Sequence, residues 1–253
     1  MPADADGAAP PLVTVDLWRV PARRVGGALV RMALDRARLR RVPGLTFARL
    51  VGTGTPGAFG PLDAEPRRWG LVAAWDSQRA AEAFTTSAVP RSWARAAEEH
   101  LHLRLQPVAA RGRWSGREPF GRPAPGRRAA EDAPPGPVAV LTRARLTPRR
   151  AVTFWRAVPP VAADLAALAA DPTAGPRLAI GIGEAPIGLQ GTFSVWPDLA
   201  AVRAFAYGRP AHAAVVRRTP EIGWYAEELF ARFAVLAAHG TLDGRNPLRP
   251  GGQ

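Results

Sequence analysis

Four histidines, His100, His102, His212 and His239, have the widest chemical reach in this 253-residue chain. His100 and His102 stand two apart in HLHLRL, where Leu101, Leu103 and Leu105 alternate with them. On a strand that spacing turns both imidazoles to one face, an arrangement that can hold a metal ion. No third ligand follows at local spacing, so the pair reads first as ordinary barrel-facing polar residues and only second as a metal site. His212 lies in RPAHAAVVRR, just after the helix-breaking Pro210, and His239 sits in AAHGT where a turn begins. A lone histidine in either setting usually caps or faces solvent.

Other chemistries are excluded by composition or weak in pattern. Without cysteine there is no disulfide, zinc–thiolate site, iron–sulfur cluster or thiolate haem ligand. All 34 basic residues are arginine, which removes Schiff-base lysines and the phosphate-loop lysine. Neither Gly-x-Ser-x-Gly nor His-Glu-x-x-His occurs, and Ser115 has no sequence-local partner to activate it. GIGEAPIG (181–188) looks superficially like a phosphate loop but lacks the third glycine of the dinucleotide spacing.

The elements that position these residues recur. VTVDLWRV (13–20) alternates as a half-buried strand, and a helical stretch opened by Pro21 carries Val25, Leu29, Met32 and Leu39. Strands follow at 47–51 and 69–75, then a helix over roughly 78–98 interrupted near Pro90, then the strand carrying His100 and His102. This β-α-β-β-α-β order is the ferredoxin-like unit. It returns after residue 137 with strands at 138–146, 177–182 and 192–196. WDSQRAAEAF (75–84) echoes in WPDLAAVRAF (196–205), and AAEEHLHLRLQPVAARG (96–112) in YAEELFARFAVLAAHG (225–240). The predicted fold class is α+β, with tandem ferredoxin-like repeats burying their bare sheet faces together as a dimeric-type α/β barrel within one chain, enclosing a cavity. The expected organisation is a polar tail over 1–11, repeat one over 12–110, a Gly/Pro/Arg-rich connector over 111–137, repeat two over 138–243 and a tail over 244–253.

The formal charge of +13 invites an anionic partner. The connector interleaves Trp114 and Phe120 with six arginines, which reads as a solvated linker whose two aromatics pin it to the domain surface. Contact with an anionic membrane ranks next, and nucleic acid ranks last among partners. No apolar run approaches the ~20 residues that span a bilayer. MPADADGAAPP has acids and no basic segment, unlike a signal peptide.

In sequence order, PGLTFARLVGTG (43–54), RGRWSGREPFG (111–121), GPVAVLTRARLTPRRAVTFWRAVP (136–159), IGIGEAPIGLQGTFSVWPD (180–198) and GWYAEELFARF (223–233) resemble the spheroidene monooxygenase family of carotenoid biosynthesis. The resemblance covers most of 12–248. It implies a haem-containing monooxygenase that introduces a keto group at C-2 of acyclic carotenoids, using dioxygen and a donor such as reduced ferredoxin. It also implies a cytoplasmic enzyme, with peripheral contact at the inner face of the membrane through Arg127 and Arg128. Without cysteine, histidine is the natural axial ligand, and the resemblance concentrates on His212, with His102 as runner-up. This chain reads YGRPAHAA where the family pattern has Gly-Pro-His. Phe154, Trp155, Phe193, Trp196 and Phe205 are the expected walls of a substrate tunnel. The alternatives are another small-molecule oxygenase of the antibiotic-biosynthesis monooxygenase type, or a non-enzymatic carrier of haem or a lipophile.

Overall fold

A computed structural model describes residues 12–54, 64–121, 135–150, 153, 163–164, 167–168, 171, 174–184, 189–208 and 222–249. The first repeat runs β1 (Leu12–Arg19), α1 (Val25–Leu39), β2 (Leu45–Gly54), β3 (Ala64–Trp75), α2 (Gln78–Thr85), α3 (Ala88–Ala96) and β4 (Glu99–Gly112). The second runs β5 (Val138–Leu146), β6 (Leu178–Gly183), β7 (Leu189–Trp196), α4 (Leu199–Gly208) and β8 (Tyr225–Gly240). All eight strands pair antiparallel in one closed barrel, β1-β3-β2-β6-β7-β5-β8-β4, so the two four-stranded sheets join through β2–β6 and β4–β8. Closure leaves no sheet edge exposed.

Strand alternation sorts the side chains into two cores. Val13, Val15 and Leu17 of β1, Leu101, Leu103 and Leu105 of β4, Phe193 and Val195 of β7, and Leu229, Ala231 and Phe233 of β8 point inward and form one cluster. The opposite face of the first sheet buries Trp18, Leu71, Ala73 and Trp75 against Ala28, Met32 and Leu39 of α1 and Trp93 of α3. In α1 the buried positions Ala28, Met32, Asp35 and Leu39 trace one helical stripe. Ser77 caps α2 by accepting the Ala80 N–H at 3.2 Å. The interruption expected near Pro90 falls earlier, at Thr86–Ser87. Pro90 itself sits in the first turn of α3, where a missing N–H costs no hydrogen bond.

The connector departs most from its expectation. Arg111 and Gly112 still belong to β4, and a tight turn pairs Trp114 with Arg117. Trp114 and Phe120, expected to pin a solvated linker to the surface, are 0% and 1% exposed inside the barrel core. Their rings pack on Phe47 at 5.3 and 6.2 Å, and Phe120 meets Phe233 edge-on at 5.0 Å. Residues 113–121 therefore plug one end of the barrel. Periodicity cannot reveal this, because a segment with two anchors has no repeat to detect.

A second plug closes the opposite end. Leu242 pairs with Arg245 as Trp114 does with Arg117, and Leu242 is buried in the same inner core. Ser115 and Asp243 share a left-handed backbone, at φ 54° and 53°. Gly112 and Gly240 precede the plugs with φ of 88° and 76°. A Cβ there would lie 2.1 Å from the Glu228 carbonyl oxygen and 2.0 Å from that of His100, so only glycine fits. The plug turn thus runs past 243, where repeat two was expected to give way to a tail.

Candidate functional site

At the first plug, inward positions of four strands carry charge where the rest of the barrel interior is apolar. Arg143 continues the inward series Ala139, Leu141 on β5, Glu184 continues Ile180, Ile182 at the end of β6, and Glu227 precedes Leu229 on β8. Arg49 joins them from β2. Glu184 accepts from Trp114 Nε1 at 2.8 Å and from Arg143 at 3.2 Å, and its other oxygen pairs with Arg49 Nε at 3.0 Å. Glu227 takes a second hydrogen bond from Arg143 and two from the backbone N–H groups of Ser115 and Gly116, at 2.9 and 2.7 Å. The Arg143 side chain is 4% exposed, so this is a buried, charge-balanced lattice holding the plug. Burial would raise the Glu227 carboxyl. The hydrogen bonds from Gly116, Ser115 and Arg143 outweigh it and hold the group below the usual carboxylate range. Glu227 is thereby held as the carboxylate, tied to Arg143 and to the plug backbone, which is a positioning role. Each segment here belongs to a quoted motif: LTFARL, RGRWSG, LTRA, GIGE and WYAEE.

A second cluster lies on the outer face of β1 and β4. The leucines of HLHLRL take the interior, so His100 and His102 point outward, a correction to the barrel-facing reading. Asp16 sits directly across from His102 in the β1–β4 register. Its Oδ1 lies 2.8 Å from both His100 Nε2 and His102 Nδ1, and its side chain is 5% exposed. Burial would raise Asp16, but the two imidazole hydrogen bonds and charges bring it below the ordinary value. Burial would lower His102, and Asp16 more than reverses this. Trp18 stacks on His100 at 5.5 Å, and His239, across from His102 on β8, stacks on His102 at 6.4 Å.

The aromatics named for a tunnel fall on both sides of the second sheet. Phe193 is buried in the inner core. Trp196 lies on the outer face, where its ring meets Phe205 of α4 at 5.4 Å and its Nε1 donates to Ser194 Oγ at 2.8 Å. Phe154, Trp155 and His212 lie outside the described residues, as do Arg127 and Arg128. Sequence reading missed Arg49, Arg143, Glu184, Glu227 and Asp16. The available signal was a charge in phase with an inward apolar series, as in Ala139-x-Leu141-x-Arg143.

The chain is 37% identical over 240 residues to a spheroidene monooxygenase of Rhodobacter capsulatus, covering 94% of this chain and 95% of that protein. It is 37% identical over 205 residues to a spheroidene monooxygenase of Rubrivivax gelatinosus, covering 80% and 73%. No family model matches. Among solved structures, an aldoxime dehydratase superposes with TM-score 0.60 at 9% identity over 88% of this chain and 80% of that one, a likeness of fold alone.

Proposed function

Because the chain belongs to the spheroidene monooxygenase family and is a monooxygenase, we propose that it introduces a keto group at C-2 of an acyclic carotenoid with haem, dioxygen and a reduced donor of the ferredoxin type. The observation that carries this reading is identity over nearly the full length of both chains. The motifs that carry the resemblance also converge on one buried lattice, as expected if that end of the barrel is kept for a shared task. Two successive hydroxylations of one methylene, each using one dioxygen, two electrons and two protons and releasing one water, give a geminal diol. Loss of a third water leaves the ketone.

Haem would sit on the outer face of the second sheet. An eight-stranded barrel is just wide enough for its own side chains, and here apolar side chains and the plugs occupy it. Outside, α4 packs on β7 with Trp196 and Phe205 in contact, and residues 209–221 with His212 follow α4 directly. On the same face, burial and then Arg203 of α4 lower the pKa of Arg232 of β8, while Tyr207 raises it. His212 would hold the iron, and Trp196 with Phe205 would shield the group from water. When bound, haem supplies the one-electron partner that both triplet dioxygen and an unactivated C–H bond require.

A water-insoluble polyene has to be collected from a membrane, and no helix among the described residues is long and apolar enough to cross one. Helix α1 suits peripheral contact. Leu29, Val30 and Leu34 are each more than half exposed. Arg23, Arg24, Arg36, Arg38, Arg40 and Arg41 flank them, while the one acid of the segment, Asp35, is buried and paired with Arg38. The test is expression in a pigmented host that makes acyclic carotenoids, together with the absorption spectrum of the purified protein. A keto-carotenoid and a Soret band are expected, and His212→Ala should abolish both while leaving the far-UV spectrum unchanged. A folded protein with neither haem nor ketone product would refute the reading.

A further inference from the structure

We propose that Asp16, His100 and His102 form a binding site for one first-row divalent transition-metal ion, such as zinc or ferrous iron, separate from any haem site. The ligand atoms are Asp16 Oδ1, His100 Nε2 and His102 Nδ1, all within 4.8 Å of one another. Two histidines at i and i+2 on β4 and a carboxylate across the ladder on β1 are the rigid, two-strand presentation that an open three-ligand site needs. Metal bonds of ~2.0–2.2 Å put neighbouring ligand atoms roughly 3.0–3.5 Å apart. The present 2.8 Å contacts reach that by small side-chain rotations, with the metal replacing the two N–H protons now directed at Asp16. The His100 side chain is 35% exposed, which leaves solvent-facing positions for water and a route of entry.

The internal repeat supplies a control. Glu99 corresponds to Glu227 and Gly112 to Gly240, and the β1–β4 and β5–β8 registers then match Asp16 with Thr142, His100 with Glu228 and His102 with Phe230. The second repeat builds the same strand pair without the triad, so the fold does not require it. Three of the four histidines nonetheless gather on this seam, since His239 stacks on His102. The adverse charge nearby is Arg104, the next outward residue of β4, and Glu82 at 3.9 Å partly offsets it.

The experiment is zinc content of the full-length chain by elemental analysis, then calorimetric titration of the chelator-treated protein with zinc chloride. One zinc per chain is expected. His100→Ala and His102→Ala should each weaken binding about 100-fold or more, since even partners outside the ligand set are worth 10–100-fold. His239→Ala should leave affinity unchanged. Asp16→Asn tests the carboxylate. Should that buried substitution unfold the chain, His100→Ala, at a position about one-third exposed, still decides the matter. Failure of the wild type to bind zinc, or equal binding by the His100 and His102 variants, would overturn the proposal. So would a Soret band lost specifically in His102→Ala, which would assign that imidazole to haem. A Soret band unchanged in the variants that lose zinc supports two separate sites, and absence of haem from every variant leaves the zinc result decisive.

Discussion

Removing the Glu227 carboxylate tests whether the buried lattice holds the first plug. The pseudo-symmetry provides its own reference in Glu99. Both glutamates bind the backbone N–H groups of a plug turn: Glu227 takes Ser115 and Gly116, while Glu99 takes Asp243 and Gly244 at 2.8 and 2.6 Å plus the Thr241 hydroxyl at 2.7 Å. They differ in what else they hold. Glu227 also pairs with Arg143, whose side chain is 4% exposed, so Glu227→Ala leaves a buried guanidinium with Glu184 alone. Breaking a buried pair costs about 3–5 kcal/mol. Glu99→Ala loses hydrogen bonds but leaves no buried arginine behind, with a cost of roughly 1–3 kcal/mol. Urea unfolding followed by tryptophan fluorescence reads the difference as a midpoint shift at constant slope. The pH dependence has a definite sign. The Glu227 pKa is lower folded than unfolded, so its contribution is full above the unfolded value of about 4.3 and fades as pH falls through the folded value. Glu227→Gln should flatten that part of the acid limb. Equal losses for the Glu99 and Glu227 alanine variants would refute the argument that the buried arginine sets the cost.

Further outcomes are expected from the same geometry. Trp114→Ala and Phe120→Ala should each cost about 3–5 kcal/mol in thermal or urea unfolding, because both rings lie in the inner core; a loss under 1 kcal/mol would restore them to a surface linker. Phe193→Ala should act mainly on stability, whereas Phe205→Ala, on the outer face, should shift the Soret maximum or haem retention more than the unfolding midpoint. Liposome flotation should show salt-sensitive binding to anionic vesicles that Val30→Asp/Leu34→Asp abolishes, each arginine near the surface contributing about 1 kcal/mol. Binding that ignores lipid charge would count against α1 as the contact.

Much of the architecture was legible in the residues themselves. Period-two alternation marked the strands, recurring Trp–Phe and Ala-Glu-Glu blocks marked the repeat, and ordered motifs marked the family, because each is a local pattern that survives without coordinates. The outward turn of His100 and His102 also follows from a local rule once it is known that Leu101, Leu103 and Leu105 face the barrel interior. What the chain order could not express was convergence. Arg49, Trp114, Arg143, Glu184 and Glu227 come from five separated segments and meet only because β2–β6 and β4–β8 close the barrel. Asp16 reaches the histidines only through the β1–β4 register, 84 and 86 residues away in sequence. The plugs were hidden for the same reason: Gly- and Arg-rich composition suggested solvent, and only closure provided an interior in which two rings from that segment could be buried. Composition and spacing decide what a segment can do locally. The tertiary structure decides which distant charges share a low-dielectric space, and there their pairing becomes strong enough to matter.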